Sequence, residues 1–252
     1  MDKLSEQLIL HIPHSSIHIP NYDDYLLDKE TLEHEMLLLT DWYTDDLFES
    51  GDDITIRAGF SRLFCDVERF SDDEQEIMSK VGMGVLYTKT DTGTDMRQVT
   101  QETRSQILDR YYWPHHRRLT EAVNDQLVKF GNALIIDCHS YPDVPFVRDL
   151  DQNPERPDFN IGTDAFHTPE DLAAVSVQFF KDRGYSLGID HPYSGAIVPM
   201  EHYQRTKEVR SIMLEINRKL YLETGSNVKS QTYLIIKKVV KEYLEILRVN
   251  GL

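Results

Sequence analysis

Only two cysteines, Cys65 and Cys138, occur in 252 residues, too few for a disulfide framework, and this usage predicts a cytoplasmic setting. Positive charge is scarce as well: 27 lysines and arginines face 43 aspartates and glutamates, a formal net charge of −16. Nucleic acids and anionic membranes need a basic face, so neither is expected as a partner. No apolar run approaches the roughly 20 residues that cross a bilayer. The opening MDKLSEQLILHIPHSS has one early lysine, two acids and a short apolar run broken at His and Pro, so it does not read as a signal peptide. Repeats and low-complexity tracts are also missing.

What is present is an alternation of apolar runs with helical spacings, over a length that supports an ample core. Strands are expected at 7–12, 52–57, 62–67, 84–88, 133–138, 185–189, 196–199 and 210–216. Residues 29–49 carry Leu32, Met36, Leu39, Trp42, Tyr43 and Leu47 close to helical spacing. Residues 101–130 predict a long helix bent near Pro114, since proline lacks the amide and crowds the preceding turn. Thr168 as N-cap with Pro169 at the first position predicts a helix to Arg183, and 228–249 predicts an amphipathic helix. The stretch 151–159, rich in proline and alternating charge, reads as a loop. This alternation predicts an α/β fold, a mixed and mostly parallel sheet flanked by helices, in a single domain over 1–252.

In such sheets ligands gather beyond the carboxyl ends of strands, and several chemistry-bearing segments sit there. In LIIDCHSYPD an apolar run stops at Asp137, Cys138, His139 and Ser140. His14 closes the first strand, Asp41 lies within or near the following helix, and His139 ends the central strand. Two imidazoles and one carboxylate leave an open coordination position, the pattern of a catalytic zinc site. His11 is the rival of His14, but it lies inside the strand, whereas His14 follows Pro13 into the loop. Asp137 shares a strand face with His139 and is placed either to orient that ring or to cap a turn. Glu215 interrupts the apolar run 212–214, an expensive position unless the acid is paired with Arg210 or Arg218 or used as a base. In SRLFCDVER, Arg62 and Arg69 flank an apolar segment, suited either to a bidentate grip on a carboxylate or to surface ion pairs. Cys138 and Ser140 are set aside as nucleophiles, because DCHS lacks the glycines of a nucleophile elbow.

The ordered set HIPHSS, TDW, SRLFCDVER, YYWPHH, DCHS, PDFNIG, HPYSG and EINRKLY, from about Leu8 to Leu222, resembles the N-formylglutamate amidohydrolase family of the histidine-degradation context. That family is similar in fold to the zinc carboxypeptidases. The resemblance implies an enzyme that cleaves a formyl or other acyl amide on a small anionic N-acyl amino acid such as N-formylglutamate. It implies one zinc ion on His14, Asp41 and His139, Glu215 as general base, and Arg62 and Arg69, with Arg218, on the substrate's carboxylates. Adjacent residues of a helix point about 100° apart, so at most one of His115 and His116 is expected to face the site, with His116 chosen as a substrate or oxyanion contact. The loop around His191 is expected either to close over substrate or to form a plain turn. The chain departs from the family pattern at Ser16, usually glycine, and at Glu68, usually asparagine. Competing readings are a metal-dependent peptidase, a peptidoglycan-type amidase, and a zinc- or dicarboxylate-binding module without turnover.

Overall fold

The computed structural model describes residues 7–250. Six strands form one sheet among them: β1 (Ile9–Ile12), β2 (Ile54–Arg57), β3 (Ala133–Tyr141), β4 (Phe159–Gly162), β5 (Leu187–Ile189) and β6 (Val209–Asn217), in the order β2-β1-β3-β6-β4-β5. The first four in that order run parallel, while β4 pairs antiparallel to β6 and parallel to β5. The helices are α1 (Lys29–Leu39), α2 (Thr44–Leu47), α3 (Gln101–Ile107), α4 (Trp113–Phe130), α5 (Glu170–Asp182) and α6 (Tyr233–Asn250). The α/β sheet expected from the alternation is therefore present.

Every residue of β3 is buried, as a central strand covered on both faces should be. One face of the sheet, with Leu10, Ile12, Ile136, Cys138, Leu214 and Ile216, packs on α2, α5 and α6. The opposite face begins apolar, with Ile9, Ile135 and Val209 against Leu119 and Val123 of α4. Further along that same face the alternating positions become His11, Asp137, His139 and Glu215. The strands thus spend their amino-terminal halves on a core and their carboxyl ends on polar groups. A third apolar cluster joins α1 to the segments 58–67 and 78–87 and to the region around Tyr112. Among the described residues no helix is long and apolar enough to cross a membrane.

Several local expectations are corrected. The helical spacing at 29–49 is divided between α1 and α2, with a break at Thr40–Tyr43 in which Tyr43 takes a left-handed φ of 62°. Segments 62–67 and 84–88 are buried but are not strands. Ser61 accepts from Phe64 and Cys65, and Asp66 N–H donates to the Val85 carbonyl, so turns replace a ladder. Residues 196–199 also stay irregular, because Ile197 N–H donates to the Asp137 carboxylate. The bend expected at Pro114 is a wider turn just before it: Leu108–Tyr112 adopts π-helical spacing between α3 and α4, next to the proline that cannot supply an amide. Pro169, not Thr168, is the N-cap of α5, and Thr168 Oγ1 instead donates to the Ser211 carbonyl. Strand β4, which no sequence pattern announced, starts within the expected loop.

Candidate metal centre and active site

The register of β3 and β6 places His139 directly beside Glu215, so both side chains rise from the same face. His14 arrives from the turn after β1, and Asp41 from the break between α1 and α2. That break is locked to the turn, because Asp41 N–H donates to the His14 carbonyl at 3.0 Å. Thr44, opening α2, returns both its amide and its hydroxyl to the Asp41 carbonyl. The interrupted helix is what lets a carboxylate reach the end of the sheet.

His14, Asp41 and His139 converge, each offering a ligand atom within 4.8 Å of the others. His139 Nδ1 lies 3.1 Å and His14 Nδ1 3.6 Å from Asp41 Oδ2. The remaining ring nitrogens face carboxylates: His14 Nε2 sits 2.8 Å from Asp66 Oδ1, and His139 Nε2 3.0 Å from Asp137 Oδ1. This is the outer arrangement that fixes ring orientation and tautomer in metal-ligating histidines. His14 Nδ1 itself is buried with no hydrogen-bond partner among the described residues. Burial alone would lift the Asp41 and Asp66 carboxyls, but the histidines and arginines around them hold both ionised, below the usual carboxylate range.

Glu215 is buried at the same end of the sheet, and its Oε2 has no hydrogen-bond partner among the described residues. Burial raises its carboxyl to about 8 against the pull of the nearby His139, Arg218 and Arg62 charges. The salt bridge to Arg210 or Arg218 that could have explained this acid is not formed.

A cavity of about 170 Å³ opens over the cluster, lined by His14, Asp41, His139 and Glu215 together with Arg62, Glu68, Arg69, Arg148 and Arg218. Four arginines around this cavity of a strongly acidic chain concentrate positive charge where an anion could dock. Two of them are largely occupied. Arg62 donates to Asp66, Tyr87 and the Leu39 carbonyl, and Arg218 to Asp41, Ser140 and the Leu38 carbonyl. Arg69 lies 3.7 Å from Asp66, and its buried Nε has no hydrogen-bond partner among the described residues.

His116 is not brought to this cavity. It packs on Tyr112, with ring centroids 4.2 Å apart, and lines a separate cleft with Trp113 and Phe70. The other member of the pair turns inward: His115 Nε2 is 2.9 Å from His11 Nε2, and His11 Nδ1 is 2.9 Å from Asp137 Oδ1. His191 stands off the cluster, its Nδ1 2.5 Å from Asp151. Sequence reasoning missed Asp66 as the partner of His14 and Tyr87 as the partner of Arg62. The signal for Asp66 was its place between two arginines, whereas nothing local pointed to Tyr87.

The sequence model of the N-formylglutamate amidohydrolase family matches residues 6–222. Among solved structures, an N-formylglutamate amidohydrolase from Ralstonia eutropha JMP134 superposes with a TM-score of 0.82 at 24% identity, over 98% of this chain and 94% of the other. A gene product of Agrobacterium tumefaciens superposes with a TM-score of 0.67 at 18% identity, over 96% and 91% of the two chains. Both are likenesses of fold. No curated protein sequence matches.

Proposed function

Because the chain belongs to the N-formylglutamate amidohydrolase family, we propose that it hydrolyses the amide of a small anionic N-acyl amino acid, with N-formylglutamate as the leading substrate. The observation that carries this reading is the meeting of His14 Nδ1, His139 Nδ1 and Asp41 beside an unpartnered, buried Glu215.

The donor set fits a zinc ion. Two neutral imidazole nitrogens and one carboxylate are the zinc donors of open catalytic sites, and the orphaned His14 Nδ1 is the kind of buried atom that a cation satisfies. His14, Asp41 and His139 would hold it. When bound, zinc supplies Lewis acidity to the amide carbonyl and to the attacking water.

The chain's own groups do the rest. Glu215 Oε2 receives the proton of the water that attacks the amide carbon and passes it to the nitrogen as the C–N bond breaks. The products are a carboxylic acid, formic acid for a formyl group, and the free amine. A burial-raised carboxyl suits this exchange, because its affinity for a proton lies near working pH. Arg218 and Arg62 hold Asp41 and Asp66 in place, while Arg69 is the guanidinium best placed to take a substrate carboxylate.

The test combines metal content with product release. Purified protein is expected to carry zinc and to liberate formate and glutamate from N-formylglutamate. Stoichiometric zinc without hydrolysis across a panel of N-acylated glutamates and aspartates would make the protein a binding module instead.

A further inference from the structure

A second set of ligand atoms lies on the other side of the His139 ring. His11 and Asp137 are register partners on β1 and β3, and Glu68 reaches them from the turn that follows Asp66. His11 Nδ1 is 2.9 Å from Asp137 Oδ1 and 3.1 Å from Glu68 Oε1. An imidazole nitrogen carries at most one hydrogen. The geometry directs it at Asp137, for Glu68 Oε1 is enclosed and without a hydrogen-bond partner among the described residues despite the short distance. A buried, unsatisfied carboxylate oxygen is costly, and something must offset it.

The spacing suggests what. One nitrogen and two oxygens within 4.8 Å of one another, with neighbours about 3 Å apart, suit ligands bound at roughly 2.0–2.2 Å to a common ion. The second nitrogen of His11, Nε2, lies 2.9 Å from Nε2 of the buried His115. The hydrogen in that contact can belong to either ring, and when it belongs to His11 the Nδ1 atom is left free to ligate. Glu68 is 19% exposed and lines the cavity, so the cluster has a route to solvent.

We propose that His11, Glu68 and Asp137 form a second divalent-cation site, with donors of the class that takes zinc or manganese. It shares no ligand with the first set. His139 turns Nδ1 to Asp41 and Nε2 to Asp137, so one imidazole separates the two positions. A cation there offsets the charges of Glu68 and Asp137 at the wall where an anionic substrate would otherwise meet an acid.

The experiment titrates metal-free protein separately with Zn(II) and Mn(II), counting bound equivalents by elemental analysis and affinities by calorimetry. The wild type is expected to take up two equivalents of at least one of these ions. Glu68→Gln, checked for folding by its thermal melt, is expected to retain one. Asp41→Asn is expected to lose the equivalent that Glu68→Gln keeps. Saturation of the wild type at a single equivalent that Glu68→Gln retains, or two undiminished equivalents in Glu68→Gln, overturns the second site and identifies the His11 cluster as a protonated imidazole between two acids. If Asp41→Asn keeps both equivalents, the reading of His14, Asp41 and His139 fails while the second site stands.

Discussion

His139 and Glu215 occupy paired positions on two adjacent parallel strands, one imidazole and one carboxyl side by side at the end of an otherwise apolar ladder. The pairing would let the proposed metal ligand and the proposed proton acceptor act on the same bond, and the two roles should separate on mutation. Glu215→Gln is expected to bind zinc with unchanged stoichiometry while kcat falls by about 10²–10⁴-fold, the usual contribution of a general base. Steady-state kinetics alongside metal analysis checks this, and near-normal turnover would remove Glu215 from that role.

Chelation should act on the other partner. Stripping zinc is expected to abolish activity and its return to restore it, while His139→Ala should neither hold the ion nor recover. Residual activity in the stripped protein, with metal absent by elemental analysis, would contradict the reading.

Arg69 makes a different prediction from its neighbours. Its removal as Arg69→Met should raise KM by about 10- to 100-fold with little change in kcat, given the 1.5–3 kcal/mol of a charge-assisted hydrogen bond. Arg218→Met, which removes one hydrogen bond from Asp41 while those from Ser140 N–H and His139 stay in place, should instead weaken metal binding. Comparison of KM, kcat and zinc affinity for the two variants distinguishes anchor from support.

The metal-free protein should lose stability as pH rises from about 4.5, the ordinary glutamate value, to about 9. Burial lifts the folded Glu215 carboxyl to about 8, so its protonated form is favoured in the fold and its contribution fades as pH climbs through that value. Burial opposes protonation of His11, but Asp137 and Glu68 outweigh it and raise the imidazole to about 9. Its contribution, complete below the unfolded value of about 6.5, is likewise lost above 9. Thermal melts across this range should fall by several degrees, and Glu215→Gln should flatten the lower part of the decline.

Gly162, at the end of β4, has no room for a side chain. A Cβ there would collide with the Gly195 carbonyl and with Met213, and only the methionine can move aside. Gly162→Ala should therefore cost about 1–3 kcal/mol, as other overpacked sites do, with zinc content unchanged. A melting temperature equal to wild type would show that the 195 loop yields.

Much of this was legible in the chain. The 133–138 run and the 210–216 run announced the two central strands, and period-two alternation placed Asp137 and His139 on one face. What the sequence concealed depended on distant partners. The buried turns at 62–67 looked like a strand because their apolar residues serve a packed cluster rather than a ladder. Either member of the His115–His116 pair could have faced the site. His115 is the one that turns inward, because His11, 104 residues away, supplies its partner, and neither ring lines the cavity. Asp41 was visible as an acid near a helix, but the break that presents it depends on the hydrogen bond to His14.

That break has a consequence for how the protein matures. The three atoms expected to clasp the ion come from a turn, a helix interruption and a strand end spread over half of the polypeptide, so no fragment short of residues 14–139 contains the complete set. An ion that binds only the finished architecture drags the folding equilibrium toward it. Zinc supply during synthesis would then govern how much of the newly made chain escapes proteolysis, apart from any part the ion plays in turnover.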